Sequence, residues 1–404
     1  MRRSLGWVAL GLVAVLGVAG CQQAAPTAKG GVSPSASAAS SDQAQASVSP
    51  AQSPAAAVTI SPASGATGVR MDQQVTVTTD QGALTTVEVK GSGGKLLDGE
   101  FDGSRSSWRS TGALAGSSTY AVTAVATSAD GRASTRSSTF STLRPASTSS
   151  VVLIPGDDWK VGVGMPIVVQ FGRTVSNKDA AVKTLTVTTT PVVEGAWHWM
   201  NNQSVWWRPK EYWPAGAKVE VKAAIDGAEL SKGVWGKRTY TSRFEIGDAV
   251  ISTVDMQKHT MTVRKNGALV RVVPITTGKP GFVTRSGIKV IMDKQESVRM
   301  DATTTGTDSK DPEFYNQIEH WAMRLTWSGE YLHARPGSEG AFGRYNVSHG
   351  CTGMSNGNAK WMFDFSRIGD VVIYTGSTKP LEWGNGYTAW EMSWEKWSAN
   401  SSNV

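Results

Sequence analysis

Cys351 is the one cysteine of this chain that can persist as a free thiol, because the other, Cys21, ends a signal-like N-terminal segment. It closes the run Ser348-His349-Gly350-Cys351, and His333 precedes that run. A thiol of ordinary pKa, ~8.5, is mostly protonated at neutral pH. A neighbouring imidazole can take the proton and hold the thiolate as an ion pair. Gly350 lets backbone pass close to the sulfur without a Cβ clash. The consecutive N–H groups of Gly350 and Cys351 could then face a developing oxyanion. The bland alternative is a buried, inert cysteine beside a satisfied histidine. The combination in a secreted chain with one leftover cysteine favours a nucleophile. His198, His259 and His320 lack metal-ligand spacing, so neither a metal nor another cofactor is expected.

The elements that position these residues follow a long N-terminal preamble. Met1-Arg2-Arg3 and the apolar run 5–20 read as the basic and hydrophobic parts of a signal segment, too short for a comfortable membrane span. Val18-Ala19-Gly20-Cys21 resembles a bacterial lipobox, in which the cysteine is acylated. A plain secretory signal with an incidental cysteine is the weaker reading, since a thiol stranded in a tail would be a liability. Residues 21–57 are almost entirely Ala, Ser, Pro, Gln, Thr and Gly and read as a flexible tether with a reach on the order of 30 Å. The formal charge is 40 − 33 = +7. Without Arg2 and Arg3 it is 38 − 33 = +5, which is mild. No basic block or RNA-binding signature is present, so nucleic acid is not expected as a partner.

Residues 58–146 alternate Val and Thr in short runs such as Val75-Thr76-Val77 and read as an immunoglobulin-like β-sandwich. Residues 147–248 read the same way, with Trp108-Arg109 and Trp207-Arg208 as corresponding points of a faint repeat. The tryptophans of the second module (Trp159, Trp197, Trp199, Trp206, Trp207, Trp213, Trp235) could form a carbohydrate platform, but core burial is the better expectation. In 249–378 the pattern changes. Lys265-Asn266-Gly267 between two alternating runs predicts a hairpin. Strands are expected at 288–292, 322–327 and 371–374, and one helix at about 358–366. The polar segment 300–315 reads as a mobile lid rather than an ordinary loop. The tail 379–404 places Trp390, Trp394 and Trp397 on one face of a short helix expected to pack back on the catalytic or second module. The fold class is mainly β: two tandem immunoglobulin-like sandwiches, a mostly-β catalytic domain with one helix after Cys351, and a Trp-rich extension.

These motifs together resemble the L,D-transpeptidases (YkuD-like catalytic domain), in the actinobacterial lipoprotein form with two immunoglobulin-like modules. His333, Ser348-His349-Gly350-Cys351, Met300-Asp301, Tyr315, Trp321, Ser328-Gly329 and Thr277-Gly278-Lys279 carry the resemblance. It implies a peptidoglycan enzyme that removes D-Ala from a stem tetrapeptide and makes 3→3 cross-links. Cys351 is then nucleophile and His333 base, oriented by the Ala334 carbonyl. Gly350, Cys351 and Tyr315 hold the oxyanion, and Ser348 and His349 support the loop. Met300, Tyr315, Ser328, Gly329 and Gly353 are the implied substrate contacts. Gly353 stands where the family has Asn or Arg, and Asn356 or Asn358 are candidates to supply the missing contact. Carbapenems are expected to acylate Cys351. The partners implied are stem peptides and, through Cys21, the membrane, which places the protein outside the cytoplasm on the cell-membrane face. An L,D-carboxypeptidase would use the same residues, and a non-catalytic wall-binding lipoprotein is the alternative from another class.

Overall fold

The computed structural model describes residues 55–305 and 308–399. The expected signal segment, Cys21 and nearly all of the expected tether lie outside the described residues. No helix among the described residues is long and apolar enough to cross a membrane. The described residues form one compact unit.

Three hydrophobic cores order this unit. The first gathers Val75, Val77, Leu84, Trp108, Val122 and Phe140 between two sheets, one of four strands and one of three. The alternating burial of Thr119–Thr127 follows from its Val/Ala–Thr alternation, because successive side chains point to opposite faces. Tyr120 donates its position to the corner: its hydroxyl accepts the Ala115 N–H at 2.7 Å. The second core lies between two four-stranded sheets and holds Trp197, Trp199, Trp206, Trp207 and Trp213. Most of the second module's tryptophans are therefore core residues, with Trp159 left 43% exposed. A short helix, Lys178–Lys183, interrupts this module where no helix was expected. Asn177 starts it by accepting the Ala180 N–H at 3.3 Å, a local cap that outweighs the β-rich surroundings.

The third core sits between a five-stranded sheet and a four-stranded sheet. The Asn266–Gly267 hairpin forms as the sequence predicts, joining Thr260–Lys265 to Ala268–Pro274 with φ of 49° and 82° at the turn. The four-stranded sheet carries the chemistry. Asn316–Arg324 pairs with Tyr331–Ala334, which bears His333 and pairs in parallel with Thr352–Met354, just after Cys351. The expected helix runs Asn356–Phe365, two residues earlier than the apolar pattern placed it, because Ser355 caps it through the Asn358 N–H. The segment 300–315 is less loop-like than expected: Asp293–Asp301 is a strand paired with Asn316–Arg324, followed by the turn Ala302–Thr305. In the tail, Trp394–Ala399 is the expected short α-helix and carries Trp394 and Trp397, but Trp390 falls outside it, on the separate 3-10 turn Ala389–Glu391, with Met392 extended between them.

Candidate active site

Cys351 is held by a strap and a turn. Ser348 N–H donates to Thr277 O at 3.0 Å, and Lys279 N–H donates to Ser348 O at 2.9 Å, so Thr277-Gly278-Lys279 pairs with the cysteine loop like an extra strand. Asn346 fixes the loop's entry: its Oδ1 accepts the Thr277 N–H at 2.9 Å, and its Nδ2 donates to Met256 O at 3.2 Å. The Ser348 hydroxyl donates to Cys351 O at 2.6 Å, while the Gly350 N–H donates to Ser348 Oγ at 3.1 Å. Gly350 has φ of +126°, a backbone conformation that side-chain-bearing residues avoid. The Gly350 N–H, expected to face the oxyanion, is thus turned inward to brace the loop.

His333 is fully buried, with 1% exposure. Its Nδ1 lies 2.7 Å from Ala334 O. A carbonyl only accepts, so Nδ1 carries a proton, and Nε2 is the nitrogen left to exchange a proton with the thiol. Burial by itself would lower the pKa of His333, but hydrogen bonds to Cys351 and then to Glu319 outweigh it and bring it up to about 10. The Glu319 carboxylate lies 3.1 Å from the same Nδ1. Cys351 Sγ is partly exposed and 3.5 Å from Gly329 O.

Two cavities meet at the sulfur. The larger, about 370 Å³, is lined by Phe282, Arg285, Tyr315, Ser328, Gly329, Glu330, His349, Gly350, Cys351 and Lys379, among others. The smaller, about 80 Å³, is lined by Met300, Tyr315, Gln317, Glu319, His333, Arg335, Ser348, His349 and Cys351. Tyr315 lines both, and its ring lies 5.0 Å from that of His349. Met300, Tyr315, Ser328, Gly329, Ser348 and His349 each line one or both of these cavities together with Cys351. Gly353 lines neither cavity. It is buried under Arg335 and Thr276, where a Cβ would meet Arg335 Cδ at 2.9 Å, so a larger side chain would require Arg335 to move. Asn356 and Asn358 do not replace that contact: Asn356 Oδ1 accepts Trp321 Nε1–H at 2.9 Å, and Asn358 Oδ1 accepts from Arg271 at 3.3 Å.

Sequence reasoning missed the charged floor of the larger cavity. Glu330 bridges Arg285 Nη1 at 3.0 Å and the buried Lys289 Nζ at 2.5 Å. The Lys289 ammonium lies 3.7 Å from the centre of the Tyr374 ring, whose hydroxyl bonds Thr352 Oγ1 at 2.7 Å. Burial pulls the Lys289 pKa down, and Glu330 opposes that pull. It also missed Glu313, whose carboxylate joins Lys279 Nζ and His349 Nε2, both at 2.6 Å, and so ties the segment before Tyr315 to the strap and the cysteine loop.

Comparison with known proteins bears on what this arrangement does. The profile of a bacterial Ig domain matches residues 66–229, and the profile of an L,D-transpeptidase catalytic domain matches residues 249–373. The chain is similar to L,D-transpeptidase 2 of Mycobacterium tuberculosis, 35% identical over 85% of this chain and 84% of that one. It is also similar to L,D-transpeptidase 5 of Mycobacterium tuberculosis, 31% identical over 84% of this chain and 76% of that one. A solved structure of an LD transpeptidase in complex with imipenem is 33% identical, covers 56% of this chain and 99% of its own, and superposes with a TM-score of 0.49.

Proposed function

The chain belongs to the L,D-transpeptidase family, and we propose that it acts on peptidoglycan stem peptides with Cys351 as nucleophile and His333 as general base. Nε2 of His333 takes the thiol proton, and the sulfur attacks the carbonyl of the third stem residue, meso-diaminopimelate. The oxyanion is stabilised by the Cys351 N–H and the Tyr315 hydroxyl, two donors at the mouth shared by both cavities. The imidazolium then protonates the leaving amine, D-Ala departs, and a thioester remains on Sγ. A side-chain amine of a second stem gives its proton to His333 and attacks the thioester, which restores the thiol and leaves a 3→3 cross-link. The observation that carries this reading is the buried His333, proton fixed on Nδ1 by Ala334 O, lining one small cavity together with Cys351.

Met300, Ser328 and Gly329 serve as substrate contacts in the same reading, and Ser348 and His349 support the loop. The protein acts outside the cytoplasm, tethered by lipid on Cys21, with sandwiches at 58–146 and 147–248 carrying a catalytic domain at 249–378. Incubation with tetrapeptide stems, followed by mass spectrometry, should give cross-linked dimer with loss of D-Ala. Tripeptide alone would mean that water resolves the thioester and would make the protein a carboxypeptidase. A carbapenem should add its mass to the protein and fail to do so in Cys351→Ala. An adduct that survives this substitution would overturn the assignment.

A further inference from the structure

We propose that Glu319 is a positioning residue for the reaction, a carboxylate third member that stabilises the imidazolium of His333 and through it the thiolate of Cys351. This rests on the reading of Cys351 and His333 as the reacting pair. The strand Asn316–Arg324 turns Glu319 inward, 4% exposed, while its neighbour Ile318 stays 62% exposed. That is the reverse of what burial energetics favour: an apolar side chain faces water while a carboxylate is taken out of it, at a cost of several kcal/mol unless it is paired. The inversion is explained by what Glu319 meets. One oxygen lies 3.1 Å from His333 Nδ1, and the other accepts from Gln317 Nε2 at 2.5 Å. Gln317 thus holds the carboxylate against the ring.

The Nδ1–H is directed at Ala334 O, which fixes the tautomer but is uncharged. Glu319 adds what a carbonyl does not, a negative charge beside the ring that gains a positive one when the thiol gives up its proton. The other ionisable groups around His333 are Cys351, Arg335, His349 and Tyr315, which line the same small cavity. Among these, Glu319 is the carboxylate within ion-pair distance of Nδ1, and Cys351 and Glu319 both favour the charged form of His333.

The experiment measures the rate of iodoacetamide alkylation against pH, read at Cys351 by peptide mass spectrometry so that Cys21 does not contribute. Wild type, Glu319→Gln, Glu319→Asp and His333→Ala are compared. In Glu319→Gln the rate at pH ~6.5 should fall about tenfold or more, and converge with wild type within about twofold at pH ~9.5, where thiols ionise unaided. Glu319→Asp keeps the charge but withdraws it, so its profile should move the same way by a smaller factor, roughly threefold. A drop of equal size at every pH would mean a packing role and would overturn the proposal, as would a Glu319→Gln profile that overlays wild type. If Glu319→Gln does not fold, Glu319→Asp decides alone, and an unmoved profile sinks the idea. Overlay of wild type with His333→Ala would take down the reacting pair itself, whereas a gap between those two with Glu319→Gln unmoved removes only the role of Glu319.

Discussion

Glu313 shows how single side chains on this molecule hold a whole segment. Its carboxylate spans Lys279 on the strap and His349 on the cysteine loop, and hydrogen bonds from Lys279 and then His349 hold its pKa below the usual range. Partly exposed pairs of this kind contribute little to global stability, but this one ties the segment before Tyr315 to His349, and both of those residues line the larger cavity. Glu313→Ala should raise the KM for a tetrapeptide stem by about two- to fivefold and leave the alkylation rate of Cys351 within about twofold of wild type, since neither His333 nor the sulfur is touched. Steady-state kinetics with defined stems checks this. A fall in kcat with unchanged KM would mean that Glu313 acts on the chemistry and not on access. At this same scale the motif Ser348-His349-Gly350-Cys351 and its partner His333 were legible in the sequence, because residue type alone limits what a thiol and an imidazole can do. Glu319, Glu330 and Lys289 were not, since a lone acidic or basic residue in a strand normally reads as a solvated face.

Elements decide which way such residues point. Counting back in twos from the buried Met323 reaches Trp321 and then Glu319, so the inward carboxylate was in principle within reach of period-two reasoning. The count is unsafe at Trp321, whose φ of 55° breaks the extended backbone in mid-strand. A second buried carboxylate sits where the strand Val371–Thr375 begins. Asp370 is 1% exposed with Oδ1 unpartnered, and Oδ2 accepts the Arg367 N–H at 2.7 Å. Burial pushes its carboxyl up to about 7, against the pull of the Arg367 N–H and the charges of Arg367 and Lys294. The folded protein therefore holds this proton more tightly than the unfolded chain. That contribution is complete below pH ~4 and is lost as pH rises through about 7. Thermal melts should show stability declining between pH ~5 and ~8 by an amount on the order of 3 kcal/mol, and Asp370→Asn should flatten the decline. An equal slope in the variant would place the titration elsewhere.

Across the whole molecule, the C-terminal tryptophans join the catalytic domain to the second sandwich. Trp397 is fully buried, stacks on His198 with ring centres 4.8 Å apart, and donates Nε1–H to Ala196 O at 2.9 Å. Trp390 donates to Gly164 O at 2.7 Å, and the Arg208 guanidinium lies over Trp390, Trp394 and Trp397 while donating to Met392 O at 2.9 Å. On the other side of the same junction the N–H groups of Gly162 and Gly164 donate to Ile368 O and Gly369 O, both at 2.8 Å. A Cβ at Gly162 would come within 2.2 Å of Asp370 N, so only glycine allows the two backbones to meet. Trp397→Ala should destabilise this pair of domains by about 3–5 kcal/mol. Calorimetry should then resolve two transitions where wild type gives one. A single transition at unchanged temperature would show that the tail is an ornament.

Composition and spacing by themselves determined the β-sandwich class and the Asn266–Gly267 hairpin, and singled out Cys351 and His333 as the pair proposed to react, because these depend on local periodicity, turn chemistry and the reactivity of particular groups. Only the tertiary structure decided that Glu319 reaches His333, that the Gly350 N–H braces Ser348, that Gly353 is walled in by Arg335, and that the tail docks on the second sandwich. Each of those depends on distances between segments far apart in the chain, and no local pattern encodes such distances.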